Sequence, residues 1–376
     1  MTPRWPILPR GFAALLCAAA FAAAFWRLPQ PAAPAFVPPP PATASALPAL
    51  FAAQMLPTAG AIAQTPSLIH LPDGRLAAAW AAGSAAEATD LAIYFSTLGR
   101  AGWSEPQPIV TRETAAGSLF AHIRRVGQPV LQADGDGLHL WFIAFGIGGN
   151  TILSHSQSSD GGSRWSAPRR LATSPLAGFG TTLSAPPLPL ADGGRGLPLQ
   201  RTLLAGHGEW LRLTADGRIV DKARLPSPGR RLPPAIVAID QQRAIALPGS
   251  GSQIGSASTA NGGRLWQAGE ASGLPGADLP LTDLPLAVLR LASGRLLLAG
   301  NPPPGRKTLA LWLSADNGQT WQAARQVESA SDSAANFTAP ALALGADGRI
   351  HLAYAWRGQG IRYVTFSEAW LAGERQ

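Results

Sequence analysis

The chain has 376 residues, of which 46% are hydrophobic, so it can bury a large core and wholesale disorder is excluded. Charged residues make up only 14%, and 41 glycines and 35 prolines indicate a chain rich in turns. The formal net charge of +8 comes almost entirely from arginines that are scattered along the chain, and without a dense basic cluster we expect no nucleic-acid partner. The single cysteine, Cys17, excludes an intramolecular disulfide and a thiolate metal site.

The N-terminus has the features of an export signal. An uncharged apolar run, residues 11–26, follows two arginines and precedes a segment rich in proline and alanine. Its length lies between a signal-peptide core and the roughly 20 residues of a membrane span, so two readings stay open: a signal cleaved near Ala22 and Ala24, or a single membrane anchor. We expect residues 1–27 to be this signal or anchor and residues 28–48 to be a linker. The rest of the protein is then extracytoplasmic, either periplasmic or secreted.

The body of the chain, residues 49–376, has the pattern of an all-β domain. Short apolar runs alternate with Asp-Gly, Gly-Gly and proline turns, and no long helical periodicity interrupts them. A unit of apolar stretch, tight turn and second apolar stretch recurs about every fifty residues. The turns of these units lie at Asp73, Asp134, Asp192, Asp240, Ser293 and Asp347. Six units at the spacing of a four-stranded blade predict a six-bladed β-propeller.

Three octapeptides support the same repeat. Residues 158–165 (SSDGGSRW), 259–266 (TANGGRLW) and 314–321 (SADNGQTW) each end in tryptophan and lie in phase with the turns. They resemble the Asp box, S-x-D-x-G-x-T-W, of the sialidase (neuraminidase)-like BNR repeat family. The aspartate can bond to amides of its own turn, glycine accepts a positive φ, and the tryptophan packs beneath the hairpin. We therefore expect the boxes to be structural.

The resemblance covers residues 64–371 and implies a glycoside hydrolase that acts on anionic glycans. Family members resemble one another in using an aspartate as acid/base, a tyrosine nucleophile activated by a glutamate, and arginines that bind the substrate carboxylate. An uncharged phenol suits such a substrate because a carboxylate nucleophile would be repelled by the sugar's own carboxylate. The residues that the resemblance assigns are Asp90 as acid/base, Tyr354 as nucleophile, Glu87 as a further catalytic carboxylate, and Arg306, Arg357 and Asn301 as substrate contacts.

Each of these assignments has a structural alternative. Asp90 can be a turn cap, Tyr354 a packed strand residue, and the arginines solvated strand ends. We expect a monomer with a glycan substrate or ligand. The sequence predicts no cofactor, and no metal site, since the six histidines show no paired spacing.

Departures from the family pattern support a second hypothesis, a catalytically inactive propeller that binds an envelope polysaccharide or a protein partner. Ala85 and Ala86 replace an arginine and a glutamate in the first-blade loop, and Glu87 lies one place out of register. In the third blade Gln200 and Arg201 stand in place of a histidine–glutamate pair, with Glu209 as the one nearby substitute.

Overall fold

The computed structural model describes residues 10–27, 33–43, 47–135, 137–173, 179–202, 206–226, 234–247, 256–268, 284–303 and 305–373. The chain divides into two compact units, Met1–Ala33 and Pro34–Gln376. In the first unit, the alanine-rich run forms helix α1 (Arg10–Arg27), as expected from the high helix propensity of alanine and leucine. Among the described residues, no helix has the length and apolar character needed to cross a membrane.

The second unit consists of six antiparallel sheets, the blades. Strand β1 (Phe51–Met55) comes first. Blade 1 contains β2 (Ile62–His70), β3 (Leu76–Gly83), β4 (Ala92–Gly99), β5 (Gly102–Trp103) and β6 (Gln107–Val110), and helix α2 (Arg112–Leu119) leads to blade 2. Blade 2 contains β7 (Arg125–Asp134), β8 (Gly137–Phe145), β9 (Thr151–Ser158) and β10 (Arg169–Arg170), with a 3₁₀ turn (Ile147–Gly149) after β8.

The other four blades follow in chain order. Blade 3 contains β11 (Thr181–Thr182), β12 (Leu188–Pro189), β13 (Arg195–Arg201), β14 (His207–Leu213) and β15 (Ile219–Leu225). Blade 4 contains β16 (Ala235–Ala238), β17 (Ala244–Leu247), β18 (Ala257–Thr259) and β19 (Gln267–Ala268). Blade 5 contains β20 (Ala287–Arg290), β21 (Leu296–Gly300), β22 (Thr308–Ser314) and β23 (Gln322–Ser329). Blade 6 contains β24 (Phe337–Leu344), β25 (Ile350–Trp356) and β26 (Gly360–Phe366), and helix α3 (Glu368–Leu371) ends the fold.

The ring is closed by the start of the domain. Strand β1 pairs antiparallel with β26, Phe51 opposite Phe366 and Met55 opposite Arg362, and so becomes the outer strand of blade 6. Radial repetition with this closure leaves only short sheet edges. The predicted all-β, six-bladed propeller is confirmed.

The connections define two faces of the propeller. The predicted tight turns, such as the one at Asp73, join the first strand of a blade to the second, and the Asp boxes join the third to the fourth. Because successive strands are antiparallel, both sets lie on one face, here called the turn face. The connections from second to third strand, residues 84–91, 146–150 and 357–359 and the described parts of the blade 5 connection, residues 301–303 and 305–307, lie on the opposite, loop face.

The Asp boxes fold as local hydrogen-bonded turns. In blade 2, the Ser158 hydroxyl donates to Asp160 Oδ1 (2.8 Å), and the same Oδ1 accepts from the Arg164 backbone N–H (2.9 Å). The hydrogen bond from the Arg164 backbone, with that from Ser158, lowers the pKa of Asp160 to about 2. The substituted box of blade 4 keeps these bonds, with Thr259 and Asn261 in the two positions. The carboxylates serve their own turns, in agreement with a structural role.

Apolar side chains fill the gaps between adjacent blades. Each of the six gaps holds one cluster of buried residues. Between blades 5 and 6, for example, Leu297 and Leu311 pack against Leu352 and Tyr354. The blades therefore cohere through side-chain burial, at about 25 cal/mol per Å² of apolar surface.

The gap between blades 2 and 3 also contains a pair of histidines near the turn face. His139 Nδ1 lies 3.0 Å from His155 Nε2. Arg195 of blade 3 lies 2.9 Å from His139 Nε2 and pairs with Asp134, while Arg169 Nε donates to His155 Nδ1 (3.1 Å). Burial, with the nearby positive charges, lowers the pKa of His139 to about 4 and that of His155 to about 3. Both rings are neutral in the folded protein at neutral pH.

The histidine pair makes stability depend on pH. Unfolding returns both pKa values to about 6.5, so the unfolded chain binds more protons between pH 6.5 and about 4, and the free energy of unfolding falls as the pH falls. We expect the free energy of unfolding to fall by about 1.4 kcal/mol per pH unit for each histidine in this window. Urea unfolding at pH 7.0, 6.0 and 5.0 measures this slope. The double variant His139→Asn/His155→Asn should make this slope shallower but leave the share of His351, whose pKa burial also lowers to about 4, and exposed His122→Asn should not change it. Equal slopes in all three proteins would contradict the assignment.

Candidate functional site

The loop between β3 and β4 carries Asp90 on the loop face. The Asp90 carboxylate accepts hydrogen bonds from the Ser84 backbone N–H (3.1 Å) and the Ser84 hydroxyl (3.0 Å), while the residue stays exposed. Gly83 fits beside it because a Cβ there would lie 3.0 Å from Asp90 Oδ1 and 3.1 Å from the Leu91 backbone. Asp90 thus fastens the two ends of its loop, and its acid/base role stays a prediction.

Glu87, in the same loop, is directed toward blade 2. Its carboxylate lies 2.7 Å from Arg125 NH2. The Arg125 guanidinium carbon lies 3.7 Å from the centre of the Phe145 ring, a cation–π contact. Gln64 donates weakly to the Ala86 carbonyl (3.4 Å). The Glu87–Arg125 pair thus anchors the first-blade loop to the start of blade 2, and Gln64 ties it to blade 1.

Tyr354 lies in the gap between blades 5 and 6, on the second strand of blade 6. Its side chain is fully buried, and its hydroxyl donates to Glu328 Oε1 on β23 (2.6 Å). Arg362 NH1 lies 2.9 Å from the same oxygen. Burial, with the adjacent Glu328 carboxylate, raises the pKa of the Tyr354 phenol well above its usual value. The Tyr354 phenol is therefore neutral and donates a hydrogen bond to the Glu328 carboxylate, which also pairs with Arg362.

Glu328 is the partner that the sequence did not reveal. It lies seven residues after Trp321, on the outer strand of blade 5. A single glutamate on the blade before Tyr354 could have been noted as a candidate partner. The contact between the two residues joins two sheets, however, and the periodicity of each strand does not predict contacts between sheets. A tyrosine that is hydrogen-bonded to a glutamate is the residue pair that an activated tyrosine nucleophile needs. Here, however, the first strand of the blade, β24, lies between Tyr354 and the propeller axis.

The three predicted substrate contacts meet around Asn336, between blades 5 and 6. Arg306 is exposed, and its NH1 donates to the Asn336 side-chain oxygen (3.4 Å). The Arg357 backbone N–H donates to the Asn336 carbonyl (2.6 Å), and its guanidinium forms a bidentate pair with Asp332 (both 3.0 Å). Asn301 is buried and donates to the Phe337 carbonyl (2.6 Å). Asn301 thus ties the connection that carries Arg306 to the first strand of blade 6.

Glu209 belongs to a separate cluster on blade 3. Its Oε2 accepts from Arg201 Nε (3.0 Å), and its Oε1 lies 3.3 Å from His207 Nε2 and 3.7 Å from Lys222 Nζ. Among the described residues, no hydrogen bond or ion pair joins Asp90, Glu87 or Glu209 to Tyr354, and no three His, Cys, Asp or Glu side chains are grouped to hold a metal ion.

Comparison with known protein families identifies the family of this chain. The family model of the BNR repeat-like domain matches residues 74–352, and the chain belongs to this family. No significant sequence match to a curated protein was found.

Solved structures share the fold at low sequence identity. A Hadza microbial sialidase superposes with a TM-score of 0.66 at 14% identity over 81% of this chain, and a protein of unknown function from Dyadobacter fermentans with 0.65 at 15% over 84%. Trypanosoma rangeli sialidase in complex with the inhibitor DANA gives 0.63 at 12% identity over 84%. The chain spans 65%, 97% and 57% of these three chains, respectively. The comparison establishes a sialidase-like propeller.

The buried phenol should contribute to stability. Tyr354→Phe removes the donor and leaves the Glu328 oxygen with Arg362 alone, so we expect the free energy of unfolding to fall by about 1–2 kcal/mol, measured by denaturant unfolding. Tyr94→Phe, at a half-buried tyrosine stacked on Trp80, serves as the matched control and should change it by less. A Tyr354→Phe variant as stable as the wild type would contradict the buried hydrogen bond.

Proposed function

We propose that this protein is a sialidase-fold propeller that binds anionic glycans on its loop face without hydrolysing them. The observation that carries the proposal is the burial of the Tyr354 hydroxyl, which is bonded to Glu328 within the gap between blades 5 and 6. A nucleophile must lie within about 3–3.5 Å of the carbon that it attacks. A sugar cannot approach this hydroxyl unless the blades or the side chains that cover it move.

The loop face offers groups that suit an anionic ligand. Arg306 is exposed and contacts an asparagine oxygen, so its guanidinium fork is available for a carboxylate. Arg357 is held in place by Asp332 and lies next to the same asparagine. Arg124, at the start of blade 2, is also exposed. A terminal sugar acid, the kind of residue that a sialidase releases, is the ligand class that this chemistry favours.

Hydrolysis is the second candidate, and the 2.6 Å hydrogen bond between Tyr354 and Glu328 favours it. In that case Glu328 would take the phenolic proton, the tyrosine oxygen would attack the anomeric carbon, and Asp90 would protonate the leaving group. This route requires a motion that uncovers the Tyr354 hydroxyl.

One set of assays separates the two candidates. The full-length protein is tested for binding to an array of neutral and acidic glycans, and for sugar release from fluorogenic glycosides. We expect binding to acidic glycans that weakens with salt, loss of about tenfold in affinity in Arg306→Ala, and no sugar release. Arg100→Ala, at an exposed arginine in the β4–β5 turn on the turn face, is the control and should bind normally.

The outcomes are distinct. Sugar release that Tyr354→Phe and Asp90→Asn abolish would overturn the binding proposal in favour of hydrolysis. Neither binding nor release, in a protein that folds normally, would reject both candidates. Equal losses in Arg306→Ala and Arg100→Ala would mean that net charge, not the loop face, governs binding.

A further inference from the structure

The segment that precedes β1 packs on the turn face of the propeller. Within this segment, residues 34–43 are here called the strap. Phe36 is fully buried in the gap between blades 3 and 4, where its ring meets Trp210 edge to face at 6.0 Å. Trp266 of the blade 4 Asp box and Ile236 belong to the same cluster. Phe36 supplies part of the core of this gap although it belongs to neither blade.

The strap also binds both blades through its backbone. It forms an antiparallel bridge in which Phe36 lies opposite Leu190. The Val37 N–H donates to the Pro189 carbonyl (3.1 Å), and the Ala191 N–H donates to the Ala35 carbonyl (2.8 Å). On the other side, the Phe36 N–H donates to the Gln241 carbonyl of blade 4 (2.8 Å). The strap therefore lies between the first turns of two neighbouring blades.

The groove is shaped for this backbone. At Gly262, in the blade 4 Asp box, a Cβ would lie 1.9 Å from the Pro34 carbonyl oxygen, so a larger residue would displace the strap. Farther along, the Thr43 N–H donates to the Ala292 carbonyl in the blade 5 turn (2.7 Å), and the Leu50 N–H donates to the Ser367 hydroxyl (3.0 Å) beyond blade 6. The described contacts of this segment thus lie first on blades 3 and 4, then on blade 5 and then next to blade 6, before β1 closes the ring.

We propose that the turn-face groove between blades 3 and 4 is a peptide-binding site whose ligand is the strap of the same chain, with Phe36 as its anchor. Main-chain hydrogen bonds to an exposed edge together with one buried aromatic side chain are a recurring mode of peptide recognition. The functional unit then begins at Pro34. Cleavage near Ala22 and Ala24 would leave the groove filled, whereas cleavage beyond Phe36 would expose Trp210 and Trp266. The strap leaves the loop face free, so this proposal is independent of glycan binding.

Hydrogen exchange of the full-length protein tests the role of the anchor. In Phe36→Ala, amides of β14, β16 and β17 should exchange at least tenfold faster, because the core of the gap between blades 3 and 4 is incomplete. Amides of β2 and β3 in blade 1 should keep their protection. Val37→Ala, at the neighbouring exposed residue, is the matched control and should match the wild type. Unchanged exchange in Phe36→Ala, or equal acceleration in all blades, would overturn the proposal.

A disulfide tests whether the strap is docked, even if Phe36→Ala fails to fold. In a Cys17→Ser background, Ala35→Cys and Ala191→Cys occupy cross-strand positions whose separation suits a disulfide. We expect this pair to cross-link rapidly within one chain on mild oxidation, seen by mass spectrometry, and the pair Ala35→Cys/Ala88→Cys, with Ala88 on the loop face, to remain reduced. Failure of the first pair to cross-link, or equal cross-linking of both, would overturn the proposal.

Discussion

Apolar packing in the gaps between blades is the interaction on which this structure depends. Hydrogen bonds hold the strands within each blade, but neighbouring sheets meet mainly through buried side chains. A side chain that points into a gap must fill space there, and a buried polar atom left unpaired costs about 1–3 kcal/mol. The need to fill these gaps explains the positions of the two residues on which the proposals above depend. Tyr354 fills the gap between blades 5 and 6, and Phe36 completes the gap between blades 3 and 4.

The same constraint decides what the tyrosine can do. Its phenol finds a carboxylate across the gap, and Arg362 holds that carboxylate from the adjacent strand. Removing one member of such a buried group is costly, although the intact group adds little net stability. The loop face is under no such constraint. Arg306 remains exposed while its backbone carbonyl accepts from the Phe337 N–H, and half-buried Arg357 is held by Asn336 and Asp332. Recognition and packing are therefore carried by different residues.

Local signals made the fold predictable. The turns at Asp73 and Asp347 and the Asp boxes depend on short-range chemistry, so six units could be counted from the sequence. The site was predictable only in part. Arg306, Arg357 and Asn301 meet at one place because they belong to neighbouring loops. The bond from Tyr354 to Glu328 joins the second strand of one blade to the outer strand of another, and the contact of Phe36 with Trp210 joins residues that are far apart in the chain. Such contacts depend on how neighbouring blades face each other. The hydrophobic pattern of a single strand does not specify that arrangement.

The central claim, that Tyr354 is a packing residue sealed from substrate, can be tested by covalent trapping. A fluorinated sialosyl fluoride, whose ring fluorine slows breakdown of a glycosyl-enzyme, is incubated with the full-length protein and, in parallel, with an active sialidase. Peptide mass spectrometry then shows which tyrosines carry sugar. The account predicts an adduct on the active sialidase and an unmodified Tyr354 in this protein. A glycosylated Tyr354 would contradict it and establish the residue as a nucleophile.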